Sequence, residues 1–428
     1  MPPIFRFLTL LALLLGGVIL ALYIVILSQA RPLSPLPITS SPNPPTATEP
    51  PPTFPPTWTP SAPPSPPTIT PTRTPRPPPL TPTRRPTTVR FVPGQLPTNV
   101  NPLTGEVVSD PAVLEQRPLL VKVANTRGCA WPQSGLNQAT LVFEHYVEAW
   151  GTRFTALYYG AEAKAIGPVR SARLIDLELP AIFDAMLVTS GSSAGVKQRL
   201  RDSDFKERVV ASEWGTGCPY LCRVDQATVP CKDKEHTMYT DTSDLHALVK
   251  RRGLETHPQL SSWAFSSNPP HGGAAAVIDI GYINAPVVWE YNTTSGRYER
   301  SQFGRRHIDA LTDTRLNTAN VVVVFVNQVF SDIQESANFY SLELQFWGEG
   351  RALLFRDGRV YDGRWQRLSR PGLFQLVDNA GQPLSLKPGR TWFEFVALNS
   401  VATATAEHWN ITVPVLPEFR PPQPKDEQ

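Results

Sequence analysis

Cysteine and histidine are scarce, four and seven in 428 residues, and no cysteine precedes Cys129. The reading is therefore that no lipid is attached near the amino terminus. The chain also has no GxxxxGK[ST] loop, no GxGxxG fingerprint and no GxSxG elbow. Nucleotide-driven, dinucleotide-dependent and serine-hydrolase chemistry thus have no sequence support, and neither a cofactor nor a metal is expected. A basic excess is missing where it would matter. The net charge is +3, but Arg6 supplies one charge, and Arg31, Arg73, Arg76, Arg84, Arg85 and Arg90 against Glu49 supply five. Residues 91–428 are left at −3. A nucleic-acid-binding domain needs the opposite sign, so nucleic acid is set aside as a partner.

What the chain does have is proline, 47 in all, crowded before residue 96. Residues 8–27, LTLLALLLGGVILALYIVIL, form an uncharged apolar run of 20, about the length that crosses a bilayer as a helix. Residues 1–30 therefore read as a membrane anchor, with cleavage after Ala30 in LSQA as the alternative. Residues 31–95 read as a Pro/Thr-rich disordered stalk. Proline lacks the backbone donor and fixes φ, and 60 extended residues reach roughly 190 Å. The expectation is a single-pass protein of the cell membrane, with its folded domain outside the cytoplasm.

Cys129, Cys218, Cys222 and Cys231 are even in number. In an exported domain they read as two disulfides with three possible connectivities. Zinc on Cys218, Cys222, Cys231 and His236 is the alternative, although the spacing is not a common zinc pattern.

Beyond the stalk the predicted fold class is α+β. A mixed α/β subdomain at 96–260 precedes a mostly antiparallel β subdomain at 261–400, and 401–428 is a tail. LLVKVAN (119–125), TLVFEHYVEA (140–149), RFTALYYG (153–160) and AMLVTSG (185–191) read as strands. SARLIDLEL and SAGVKQRLRDSDF carry helical spacing, and DTSDLHALVKRRG (241–253) reads as a capped helix. The second half is strands: VVWEYNTTSGRYERSQF as a hairpin, VVVVFVNQV as a buried strand, and ALLFRDGRVYDGRW as a hairpin turning at Asp357-Gly358. His307 and Asp309 alternate on a predicted strand and share a face.

Several segments together resemble the YerB-like envelope protein family. They are NPLTG (101–105), WPQSGL (131–136), LVFEHYVE with GTRF (141–154), IGPVRSAR (166–173), HTMY (236–239), RHIDALT (306–312), NVVV (320–323), ALLFRDGRV (352–360) and LKPGRTWFEFV (386–396). The resemblance implies a two-part extracytoplasmic domain of unknown function, usually tethered as a lipoprotein, with no enzymatic activity to carry over. The chain departs from that pattern in having no cysteine after the apolar run, which is why a spanning anchor is expected instead.

IGPVRSAR is the most specific piece. Arg170 and Arg173 are predicted on one face of a helix's first turn. Two cations there repel and oppose the helix dipole, and an anion would resolve both costs. Gly167 would let that anion approach the backbone. Alternation places Glu144, Tyr146 and Glu148 on one strand face, continued by Arg153. Glu144 and Glu148 can pair with these arginines, and Asp176 with Arg173, in which case the group is a structural ion-pair network; His236 can act as acid or base. The predicted ligand pocket is therefore Arg170, Arg173, Arg153, Glu144, Glu148, Asp176 and His236. It would belong to a non-catalytic binding or assembly factor recognising an anionic envelope polymer or another envelope protein. The alternative is a hydrolase or transferase acting on anionic envelope glycopolymers, with the carboxylates or His236 handling protons.

Overall fold

β-branched and aromatic runs build the centre of one large sheet. The computed structural model describes residues 90–415, apart from 269, 337 and 338. The expected anchor, nearly all of the expected stalk, and residues 416–428 lie outside the described residues. Leu119–Asn125, Leu141–Tyr146, Thr152–Tyr158, Asn320–Val326 and Thr391–Ala397 are buried along their whole length. Near-continuous apolar runs suit strands covered on both faces.

The sheet has 11 strands and draws on both halves of the chain. From one edge its order is Gly273–Ala274, Arg359–Arg367, Gly348–Arg356, Asn320–Val326, Thr391–Ala397, Leu141–Tyr146, Thr152–Tyr158, Leu119–Asn125, Met186–Thr189 and Val209–Ala211, with Gln375–Asp378 also paired to Arg359–Arg367. Thr391–Ala397 runs parallel to Asn320–Val326 on one side and to Leu141–Tyr146 on the other. The expected hairpin turns at Asp357 and Gly358, both at positive φ, as a two-residue Asp-Gly turn requires.

A seven-stranded sheet packs on one face of the first. It runs from Arg305–Arg306 through Arg297–Gln302, Val287–Asn292, Val277–Gly281 and His408–Thr412 to Val401–Thr405, with Asn317–Thr318 beside Arg297–Gln302. Trp289 links the layers. Its ring lies 5.2 Å from that of Trp392, and its Nε1 donates to Glu394 at 2.9 Å. The other face is apolar around Phe143, which stacks on Phe393 and meets Phe183.

Residues 401–412, assigned above to the tail, are structural. His408–Thr412 runs parallel to Val277–Gly281 and buries Ile411. The short polar hairpin VATATAEHWNIT carries too few apolar positions to announce itself.

The described part is mostly β. Its α-helices are Leu179–Phe183, Ala194–Arg201 and Thr242–Arg251. The last begins at Asp241, whose carboxylate accepts the N–H groups of Ser243 and Asp244, matching the cap read from sequence. The cysteines pair as Cys129–Cys231 and Cys218–Cys222. The first bond ties the 218–236 loop to the turn that follows Leu119–Asn125.

Candidate functional site

Residues 166–173 are extended, which corrects the expected helical first turn. Pro168 would be tolerated at a helix start, but the segment is instead held between two neighbours. Ile166 exchanges hydrogen bonds with Thr240, and Gly167 with Ser134, while the Val169 N–H donates to Met238 O. Pro168 O accepts from Ala124 N at 2.9 Å, and Arg170 N donates to Lys122 O at 2.9 Å. A Cβ at Gly167 would stand 2.6 Å from the Tyr239 ring and 2.9 Å from Met238 O, so this glycine admits Tyr239 rather than a ligand. Arg173 is the residue preceding the 3-10 turn Leu174–Leu177. Its N–H donates to Asp176 Oδ2 at 2.7 Å.

The strand face predicted to carry Glu144 together with Arg153 is likewise corrected. Paired residues in antiparallel strands share a face, and the pairs are His145 with Arg153 and Glu144 with Phe154. Glu144 and Arg153 therefore point to opposite sides of the sheet. The strand ends at Tyr146, and Glu148 begins a turn in which Ala149 and Trp150 both take positive φ. That turn brings Glu148 round to the Arg153 side.

Behind Arg153, Lys122 and Asp176 form an ion pair at 2.9 Å with both side chains wholly buried. Lys122 Nζ also contacts His145 Nε2 at 2.7 Å and donates to Thr155 Oγ1 at 2.9 Å. Burial pulls the Lys122 ammonium down to about 8, against the restoring charge of Asp176. Burial and then the Lys122 charge hold His145 well below the ordinary imidazole range. Asp176 is thus a core counter-ion of Lys122, not a surface partner of the Arg173 side chain.

On the opposite face Glu144 pairs with Arg300 at 2.6 Å, both wholly buried. Thr152 Oγ1 donates to Glu144 at 2.7 Å. The Arg300 guanidinium lies over the rings of Phe154, Trp289 and Trp392 and contacts His307 Nδ1. His307 Nε2 meets Gln133 Oε1 at 2.6 Å, and Asp309 accepts the N–H groups of Gly135 and Asn137. His307 and Asp309 are therefore buried supports of the WPQSGL turn. A buried ion pair whose remaining lone pairs are satisfied is a structural device first.

Open to solvent is a polar hollow of about 470 Å³ lined by Arg153, Arg170, Arg173 and Arg223, with Glu148, Glu235 and Glu335. Serines 171, 190, 192 and 193 complete its wall. Arg173 grips Glu148 with two hydrogen bonds, Nε to Oε2 at 2.6 Å and Nη2 to Oε1, and Glu335 stands 3.8 Å away. Burial alone would raise the Glu148 carboxyl, but the Arg173 hydrogen bonds and the charges of Arg173 and Arg153 outweigh it and hold the group at about 2. Arg153 donates to Ser171 O at 2.9 Å and reaches the same Glu148 oxygen only at 3.6 Å. Burial, followed by the Arg173 charge, pulls Arg153 down to about 9. One carboxylate thus serves two guanidinium groups.

Arg170 pairs with Glu235 at 2.6 Å, and its buried Nε has no partner among the described residues. Arg223 donates to Lys234 O and to Thr237 Oγ1 and forms no ion pair among the described residues. Glu335 accepts from Ser193 Oγ at 3.0 Å and from Ser341 Oγ.

Of the residues named from sequence, Arg153, Arg170, Arg173 and Glu148 meet in this hollow. Glu144 and Asp176 lie in the two buried clusters. His236 is buried beside it, with Nδ1 2.8 Å from Asp233. Arg223, Glu235 and Glu335 were not named. Glu235 directly precedes HTMY and was within reach of that motif. Arg223 depends on the disulfide-bound loop, and Glu335 on a hairpin, Gln328–Ser336 with Phe339–Leu344, whose sequence carries no mark of function.

Residues 103–255 match the family model described as the N-terminal domain of a protein of unknown function (DUF3048), and residues 278–393 match that of its C-terminal domain. A protein of Bacillus subtilis (strain 168) bearing the name "Putative lipoprotein YerB" is 28% identical over 306 residues, covering 69% of this chain and 85% of the relative. The crystal structure of YerB protein from Bacillus subtilis matches with a TM-score of 0.59 at 26% identity, over 69% of this chain and 96% of that one. The expected single-pass membrane placement is corrected by these findings. The relative's name denotes attachment through a lipid, not a spanning helix, and among the described residues no helix is long and apolar enough to cross a membrane. Residues 8–27 lie outside the described residues.

Proposed function

The chain belongs to the DUF3048 family, and from that premise we propose that it is a cell-envelope protein that binds, without catalysis, an anionic group of an envelope polymer in the arginine hollow. The observation that carries the reading is the shared Glu148. It neutralises Arg173 and stands off from Arg153, while Arg223 has only neutral acceptors. Four guanidinium groups face three carboxylates, and the surplus positive charge sits in a concave, low-dielectric wall that strengthens its field. Arginine forks fixed in place suit phosphate and carboxylate oxygens. The envelope assignment is supported by two disulfides, which persist in oxidising compartments, and by the lipoprotein name of the relative.

The non-catalytic assignment rests on protonation. A general acid or base works best with a pKa near the working pH. Glu148 is held at about 2, and His145, Glu144 and Glu394 are shut away in the core. In the hollow itself Glu335 is fixed by two serine hydroxyls and Glu235 is paired with Arg170, while His236 is buried with its Nδ1 on Asp233, so each group that the hydrolase or transferase reading would use is committed to a partner.

Retention of the purified protein on an anionic cell-wall glycopolymer fraction tests the reading. Arg153→Gln and Arg223→Gln should each weaken retention about tenfold, the loss of one charge-assisted contact. Equal retention by both variants and the parent protein would exclude the hollow. Retention that persists after the polymer is stripped of its anionic groups would point to a protein partner.

A further inference from the structure

The three glutamates of the hollow are not equivalent. Glu148 is held by two hydrogen bonds from Arg173. Glu335 has a buried side chain, 5% exposed, fixed by Ser193 and Ser341. Glu235 is different: its side chain is 67% exposed and its carboxylate makes one contact, to Arg170 at 2.6 Å. Exposed ion pairs are worth little, so this carboxylate is easily displaced, whereas the other two are part of the wall.

Resting on the reading of the hollow as an anion site, we propose that Glu235 is a built-in occupant that a phosphoryl group displaces, and that the ligand is a dianionic phosphate monoester or free phosphate. With Glu235 swung out, Arg153, Arg170, Arg173 and Arg223 face only Glu148 and Glu335, a surplus of two positive charges. A dianion balances that surplus and a single carboxylate does not. The donors suit three phosphoryl oxygens. Arg170 offers the Nη1 that the Glu235 carboxylate releases, its other contact being the Glu235 main-chain oxygen at 3.3 Å, and Arg223 holds no carboxylate of its own. Ser193 opens the helix Ala194–Arg201 at the wall without capping it, its hydroxyl being turned to Glu335. The first-turn N–H groups of that helix favour an anion.

Calorimetric titration of the full chain with inorganic phosphate, glycerol phosphate and acetate tests this. Glu235→Gln removes the competing charge at an exposed position and leaves the core untouched. It should bind inorganic phosphate about fivefold more tightly than the parent protein, the equivalent of one exposed ion pair, with both phosphoryl probes preferred over acetate. Arg223→Gln should bind both phosphoryl probes more weakly. Tighter binding of glycerol phosphate than of inorganic phosphate identifies a monoester as the source, and the reverse order identifies the free ion. If anions bind but Glu235→Gln gains nothing for phosphate, or acetate binds as well as phosphate, the displacement idea fails and the general anion site stands. If no probe binds either protein, the anion site itself fails.

Discussion

Glu144 and Glu394 are register partners on the parallel strands Leu141–Tyr146 and Thr391–Ala397, at the seam where the two halves of the chain share one sheet. Both are wholly buried, and Arg300 stands 2.6 Å from Glu144. Burial, reinforced by the charge of Glu144, pushes the Glu394 carboxyl well above its ordinary value of 4.5, against the pull of Arg300 and Trp289. The folded protein therefore keeps a proton that the unfolded chain releases above about pH 4.5, and stability falls as pH rises from there towards the folded value. Glu394→Gln should flatten that decline while preserving an acceptor for Trp289 Nε1. Urea denaturation between about pH 5 and about pH 9 measures it. An unchanged slope would mean that Glu394 is ionised in the fold.

Glu148 acts in the opposite direction. Its carboxyl is held at about 2 in the fold against 4.5 unfolded. Its stabilisation is complete above about pH 4.5 and is lost as pH falls towards 2. Glu148→Gln should lower stability at neutral pH and blunt the acid-side loss, both visible in melts taken down an acid series.

Arg173 and Arg170, so alike in sequence, should differ on truncation. Arg173→Ala leaves the half-buried Glu148 with only the distant Arg153 and should cost about 2–3 kcal/mol. Arg170→Ala severs an ion pair whose acid is mostly exposed and should stay within about 0.5 kcal/mol of the parent protein. Chemical denaturation separates the two. Equal losses would make the whole hollow a structural network.

Cys129–Cys231 spans 102 residues and Cys218–Cys222 spans 4. Longer closed loops restrict the unfolded chain more. Replacing the first pair with serine should cost about 3 kcal/mol, the second distinctly less. Denaturation curves of the two double variants, with non-reducing peptide mapping to verify the pairing, decide it.

The sheet centre was legible because its strands are rich in β-branched and aromatic residues, unbroken in VVVVFV and interrupted by Glu394 alone among charges in TWFEFVA, and because Asp357-Gly358 encodes its own turn. The Thr242–Arg251 helix was legible from Asp241 at its start and Lys250 and Arg251 at its end. Helical spacing misled at 166–173. The pattern of Arg170 and Arg173 matched a helix, but the hydrogen bonds of Ile166, Gly167 and Val169 were claimed by Thr240, Ser134 and Met238, residues remote in sequence. Alternation misled at Glu144, because two polar faces of one strand both proved to be buried. Which of two carboxylates meets solvent depends on what covers the sheet, and Arg300, which covers Glu144, lies 156 positions away. Glu335 joined the hollow for the same non-local reason.

The placement of Thr391–Ala397 governs how the chain can be completed. It is the last long strand of the large sheet to be synthesised, yet it sits between Asn320–Val326 and Leu141–Tyr146. Until it arrives, Leu141–Tyr146 presents an unpaired edge, which is the kind of surface that invites wrong pairing. Made from its amino terminus, the chain holds that edge open while about 250 further residues are added, so wrong pairing is to be guarded against until residue 397 is in place.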